Sequence, residues 1–340
     1  MSVAAEMHAP RHLSAYGLGA LAIGGVVAGV LATRGSQPRA RGAAASACTS
    51  TVAPSPHRRV VQRLLDSLEP GQTGCLAAGV YREDLKVSRS GIVLRSASAQ
   101  RARIVGRLWV TRRARGDLFS GLILDGRNSS GLPSPTVNGT SISFVNDEVT
   151  NENTNICFVL GSAYGRARDT LIEGDRIHNC GRLPSHNTEH GIYVSHATGT
   201  RIIANLIYGN ADRGIQLYPD AQGSVIERNV IDGNGEGVIF SGEGGQASSN
   251  NLVQYNAITN ARIRSDIESW YPQGNPAGVG NVVRDNCVWG GRGAPVDVSA
   301  AGFTAIANVV ADPMYASPAG GDFQISAASR CASLLAGRVP

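Results

Sequence analysis

The chain has 340 residues, 42 of them glycine, with 5% aromatics and a formal net charge of +5. That length holds one large domain or two ordinary ones. The positive excess is dispersed and no Arg/Lys run is interleaved with aromatics, which argues against a base-stacking nucleic-acid surface; a modest positive field suits an acidic polysaccharide. Lysine occurs only at Lys86.

In chain order, Arg11 and His12 precede an apolar, glycine-rich run over 13–32. Its length matches the ~20 residues of a membrane-spanning helix and also a secretory h-region. Residues 1–33 therefore read as a signal peptide or a membrane anchor. Either places the remainder outside the cell or on its surface, with membrane contact only through this segment. Residues 34–56, rich in Arg, Ala, Ser and Pro, read as a linker. Val60, Val61, Leu64, Leu65 and Leu68 fall at helical spacing and stop before Pro70-Gly71, which predicts a short amphipathic helix over the open end of the domain that follows.

From 57 to 340 one pattern dominates. His190-Gly191-Ile192-Tyr193-Val194 returns as Arg213-Gly214-Ile215-Gln216-Leu217 and as Glu236-Gly237-Val238-Ile239-Phe240, 23 residues apart each time. A fixed period with short alternating strands and no helical spacing predicts a solenoid whose coils share one core. A second phrase aligns Asp147, Asp175, Asn205, Asn229, Asn256, Asn286 and Asn308. Asn and Asp tolerate left-handed backbone at sharp bends, and stacked amides can bond one another, so this column reads as structure. Excursions interrupt the period at 128–138, 181–189, 242–249 and 269–280, where a solenoid often rims its binding face.

The six cysteines suit an exported, disulfide-bonded protein. Cys48 with Cys75 would tie the N-terminal segment to the first coil. Cys157 with Cys180 and Cys287 with Cys331 are further candidate pairs among several connectivities.

These repeats, with an opening passage from Pro70-Gly71 to Gly91-Ile92-Val93-Leu94 and a closing passage from Asp312-Pro313-Met314 to Asp322-Phe323-Gln324-Ile325, resemble a right-handed parallel β-helix of the pectin-lyase-like superfamily, with three short strands per coil. The resemblance implies an all-β domain, expected to be monomeric, and a polysaccharide substrate. It does not imply one reaction, since the superfamily hosts lyases, hydrolases, epimerases, esterases and adhesins. The Asp-Pro-His-Asp motif of β-helical mannuronan epimerases is absent; Tyr193-Val194-Ser195-His196 stands there instead. The Lys/Arg pair of alginate lyases is not matched either, because Lys86 lies in the opening coil.

Candidate chemistry follows from strand alternation. With Ile192 and Val194 inward, one outward column reads Phe158, Tyr193, Gln216, Ile239, Glu268 and another Leu160, Ser195, Tyr218, Ser241, Trp270. At the preceding turn a third reads Asn155, His190, Arg213, Glu236. Proton abstraction next to a carboxylate needs charge neutralisation, a base and an acid for the departing oxygen. Arg213 is the candidate neutraliser, His190 the base, and Tyr193 or Tyr218 the acid. Trp270, Tyr271 and Tyr218 are candidate sugar platforms, with Gln216, His186 and Glu268 as further substrate contacts. Glu189 and Asp212 are candidate Ca²⁺ ligands. The favoured reading is a polysaccharide lyase. The alternatives are a glycoside hydrolase using Glu236, Glu268 or Asp212, and a non-catalytic glycan-binding module.

Overall fold

The structure, a computed structural model, describes residues 47–56, 59–335, 337 and 339–340. The apolar run at 13–32 and most of the 34–56 linker lie outside the described residues.

Three sheets of eleven, ten and ten strands run along the domain, parallel except for the edge strand Gln246–Ala247, as successive coils add strands to each. The inward residue of each strand faces its counterpart one coil away. In the eleven-stranded sheet this stacks Leu94, Phe119, Phe144, Ile172, Ile202 and Ile226 in register, all fully buried. Phe119 and Phe144 stack with centroids 5.0 Å apart, and Phe158 meets Phe144 edge-on at 4.9 Å. Each coil thus buries its apolar side chains against the next, which is why no coil is stable alone. No described helix is long and apolar enough to cross a membrane.

The polar column is a ladder. The backbone N–H of Asp147, Asp175, Asn205, Asn229, Asn256 and Asn286 each donates to the Oδ1 one coil on, at 2.7–3.1 Å. From Asn205 onward each Nδ2 also donates to a carbonyl of the preceding coil, as Asn205 does to Ile172 and Asn229 to Ile202. The left-handed bend falls one residue earlier than the sequence reading placed it. Ala204, Arg228, Tyr255, Asp285 and Ala307 have φ of 53–61°, so the amide is free to bond while its neighbour turns the chain.

Asp147 and Asp175 hold the ladder's N-terminal places without an Nδ2, and each leaves Oδ2 buried with no partner. Burial pushes Asp147 up to about 7 and Asp175 upward as well, the latter also opposed by the charge of Asp147. A raised folded-state pKa gives stability that is complete below the unfolded value near 4 and lost as pH rises through about 7. The Asp147→Asn, Asp175→Asn double variant should therefore gain about 2–4 kcal/mol over wild type at pH 7.5, with little difference at pH 4. Thermal melts across that range check this; parallel curves would show both carboxylates ionised throughout.

At the N-terminal side a helix, Val60–Ser67, packs Val61, Leu64 and Leu65 into the core. Its first free N–H groups, from Val61 and Gln62, donate to the Glu83 carboxylate at 3.0 and 3.1 Å. Leu64 lies so close to Gly74 that a Cβ there would sit 2.9 Å from its Cδ2. At the other end, Tyr315–Ser317 and Asp322–Ile325 form an antiparallel pair. Phe323 and Leu335 pack with Val230 and Ala257 on the outer face of the second ten-stranded sheet. Disulfides join Cys48–Cys75, Cys157–Cys180 and Cys287–Cys331.

Candidate active site

Strands of two to four residues are the rule, but three consecutive ones in the first ten-stranded sheet are longer: Ile192–Thr198, Arg213–Gln222 and Glu236–Glu243. They begin beside Gly191, Gly214 and Gly237, where coils approach closely. A Cβ on Gly237 would stand 2.1 Å from the Asp266 carbonyl oxygen. This close stacking brings His190, Arg213 and Glu236 together: the Gly191 N–H donates to the Arg213 carbonyl, and Arg213 pairs with Glu236 in register.

The outward column is Lys86, Trp109, Thr136, Val159, Tyr193, Gln216, Ile239 and Glu268. Phe158 and Leu160 are not in it. They lie opposite Ile192 and Val194, fully buried, and Val159 takes the outward place. Phe158–Leu160 is apolar throughout, so alternation could not set its parity, and a one-residue slip exchanges the faces. Asn155 also leaves its assigned column; its Nδ2 donates to the Gly131 carbonyl. A register shift between Val194 and His196 sets Tyr218 and Pro219 against Ser195, a bulge that re-aims Tyr218.

A cleft of about 270 Å³ opens on these strands, lined by Asn187, Thr188, His190, Tyr193, Arg213, Gln216, Tyr218, Arg264 and Trp270. The Tyr193 and Tyr218 rings stack at 6.2 Å, and His190 meets Tyr193 edge-on at 5.6 Å. Arg213 donates from Nε to Glu236 Oε2 at 2.8 Å and from Nη1 to the Asn187 carbonyl at 2.6 Å. Among the described residues Nη2 has no hydrogen-bond partner, so the guanidinium is held at Nε and Nη1 with a donor to spare. His190 is buried and its Nδ1 has no partner. Burial, then the charge of Arg213, push it down to about 3 against the pull of Asp212, so the imidazole is neutral at ordinary pH. Burial also raises Tyr193 and Tyr218, and Glu243, bonded to the Tyr218 hydroxyl, raises the latter further.

Other candidates fall outside the cleft lining. Glu236 and Glu268 are buried behind it, paired with Arg213 and Arg264; burial and the charge of Glu236 raise Glu268. His186 is exposed on the 181–189 loop and Tyr271 packs against Gly278 and Gly302. Glu189 accepts from the Arg182 N–H and Nε, both at 2.6 Å. Asp212 accepts from the Thr188 and Glu189 N–H groups at 2.7 and 2.6 Å and from the Ser185 hydroxyl. Burial works against Asp212, but these donors hold it below the usual carboxylate range. Both carboxylates therefore fasten the loop that carries Asn187. The Ca²⁺ expectation finds no support in their geometry: among the described residues no group of three or more His, Cys, Asp or Glu is disposed to hold a metal. Sequence reasoning missed Arg264, Asn187 and Thr188 as lining residues. For Arg264 the signal was its place four residues before Glu268.

Three sheets closed around a stacked core, with a polar cleft on one of them, define a parallel β-helix. A family profile described as the right handed beta helix region matches residues 136–311. The chain belongs to that family. No curated protein sequence matches it. Among solved structures it is similar to pectate lyase Pel9A, at 15% identity over 84% of this chain and 91% of that one, TM-score 0.56. It is also similar to the A-module of the Azotobacter vinelandii mannuronan C-5 epimerase AlgE4, at 16% over 73% and 71%, TM-score 0.53. A third is an alginate lyase from Paenibacillus sp. str. FPU-7, at 16% over 77% and 97%, TM-score 0.52. At these identities the likeness is one of fold.

Proposed function

We propose that the chain is an exported polysaccharide lyase that cleaves an acidic polysaccharide by β-elimination at a uronic acid. The observation that carries this reading is the pairing of a rigidly held guanidinium with stacked tyrosines in one cleft. Arg213, fixed by Glu236 and Asn187, presents free donors beside His190, Tyr193 and Tyr218. A guanidinium matches a carboxylate and stabilises the negative charge that develops when the adjacent C–H proton leaves. The three structures named above are a pectate lyase, an epimerase and an alginate lyase, all titled for acidic sugars or their polymers, which supports the substrate class.

In this reading the uronate carboxylate binds Arg213 and Arg264. His190 takes the proton from C5, the C–H electrons form the C4=C5 bond, and the C4–O bond breaks. Tyr218 or Tyr193 gives its proton to the departing oxygen. Burial first, and then the charge of Arg213, make His190 a weak base. A bound carboxylate offsets the Arg213 charge and so returns part of the imidazole's basicity. The glycoside hydrolase alternative fits less well, because Glu236, Glu268 and Asp212 are engaged behind the cleft and none lines it.

The test is incubation of the protein with alginate, polygalacturonate and other uronate polymers, following the ultraviolet absorbance of unsaturated ends alongside new reducing ends. Both signals should rise together in wild type and fall at least ~100-fold in His190→Ala. Reducing ends without absorbance would establish hydrolysis instead. Binding with neither signal would make the protein a glycan-binding module.

A further inference from the structure

A second cleft, of about 420 Å³, lies on the same ten-stranded sheet, lined by Lys86, Ser88, Trp109, Thr111, Arg112, Arg113, Ala163 and Tyr164. The candidate active site does not use it. Lys86 and Trp109 are register partners and continue the outward column that holds Tyr193 and Gln216. Trp109 stands three coils from Tyr193, ~14 Å at the usual strand spacing. The residues between them in the column, Thr136 and Val159, carry no charge.

This cleft is built rather than incidental. Asn138 is almost fully buried. It accepts from the Trp109 indole at 2.9 Å and donates to Ser162 Oγ and the Gly165 carbonyl at 2.9 and 2.7 Å. One amide thus fixes the indole and the loop carrying Tyr164, whose ring lies 5.7 Å from that of Trp109. Lys86, Arg112 and Arg113 form no ion pair among the described residues, and the Lys86 ammonium and Arg107 guanidinium lie 5.1 and 5.2 Å from the Trp109 ring. Arg107 also keeps its Nε buried without a hydrogen-bond partner. Neighbouring cations of one sign beside preorganised aromatic faces suit a ligand with anionic groups and apolar ring faces.

We propose that this cleft is a distal subsite that grips an acidic sugar of a polysaccharide chain whose reactive unit sits over Arg213. The proposal rests on the lyase reading for its ligand class, while its own content is the dependence of binding on ligand length. A single-stranded nucleic acid would also meet cations and aromatics; the common column with a cleft suited to uronate favours the polysaccharide.

The test titrates full-length protein with short and long oligouronates, cut from alginate and polygalacturonate, and with single-stranded DNA. Trp109→Ala should weaken long oligomers about tenfold, the equivalent of one good aromatic contact, and leave short ones and their elimination rate unchanged. Arg112→Ser, an exposed change without folding consequences, should act in the same direction. Equal affinity of wild type and both variants for long oligomers would overturn the subsite, even if elimination proceeds. DNA that binds as well as long oligouronates and is lost in the same variants would also overturn it. Length-dependent binding lost in Trp109→Ala without any elimination would uphold the subsite and sink the lyase reading instead.

Discussion

Arg213→Met should abolish elimination and cost about 3–5 kcal/mol of stability near neutral pH, because it breaks a buried ion pair and leaves one partner behind. Glu236 is almost fully buried, its Oε1 already lacks a hydrogen bond, and Oε2 depends on Arg213. Glu268 lies near enough for the two carboxylates to repel, with Arg213 offsetting that repulsion. Without the guanidinium, both are left in low dielectric and the loop loses its tie at the Asn187 carbonyl. The deficit should shrink as pH falls, because Glu268, already raised by burial and by the charge of Glu236, takes up a proton and the repulsion between the two carboxylates ends. The Arg213→Met, Glu236→Gln pair should recover most of the stability and none of the activity. Urea denaturation from pH 5 to 8, with absorbance assays on the same preparations, separates the two roles. Activity retained in the double variant would remove Arg213 from the chemistry.

The second large effect belongs to the amide ladder. Asn229→Ala should destabilise the domain by about 3–5 kcal/mol, more than an ordinary polar-to-alanine change. Its Oδ1 accepts from both the backbone N–H and the Nδ2 of Asn205, and its Nδ2 donates to Ile202, Glu227 and Asn256. Alanine would strand several fully buried groups at once, and each unsatisfied group costs about 1–3 kcal/mol. At the last rung, water can replace what is lost. Asn308 is only half-buried; it accepts from the N–H and Nδ2 of Asn286 and donates to the Val283 carbonyl, and with water at hand Asn308→Ala should cost about 1–2 kcal/mol, well below Asn229→Ala. Denaturation midpoints of the two variants check the gradient. Equal losses would mean that burial does not set the strength of the rungs.

The repeat made the solenoid legible because one inward residue per strand must recur once per coil, and its 23-residue return at His190, Arg213 and Glu236 put the turn column in view. What stayed hidden follows from where alternation carries no information. Phe158–Leu160 is apolar on both faces, so its parity was open, and its misplacement took Asn155 with it. Two further amide pairs, Asn210 with Asn234 and Asn251 with Asn281, escaped notice because they sit at other corners of the coil. Arg264 and Asn187 enter the cleft from irregular segments with no period to follow. The Trp109 cleft depends on Tyr164 folding back from a later coil, a contact with no local sequence signal. Glu189 and Asp212 lie one coil apart and touch through their backbones, but which donors their carboxylates serve depends on loop geometry.

The three long strands also set a scale. His190, Arg213 and Glu236 sit at one angular position on successive turns, so the spacing of the stack, about 4.8 Å, acts as the graduation of a ruler. Lys86 and Tyr193 are marks on the same edge. Duplication of a whole turn before Lys86 would leave both marks where they are relative to each other. Duplication between the turns of Val159 and Tyr193 would move them apart by one graduation and preserve each locally. A gene for this fold can therefore change the span of chain it grips by copying a segment of 22 to 30 residues, the interval between paired rungs of the ladder, without redesigning either end.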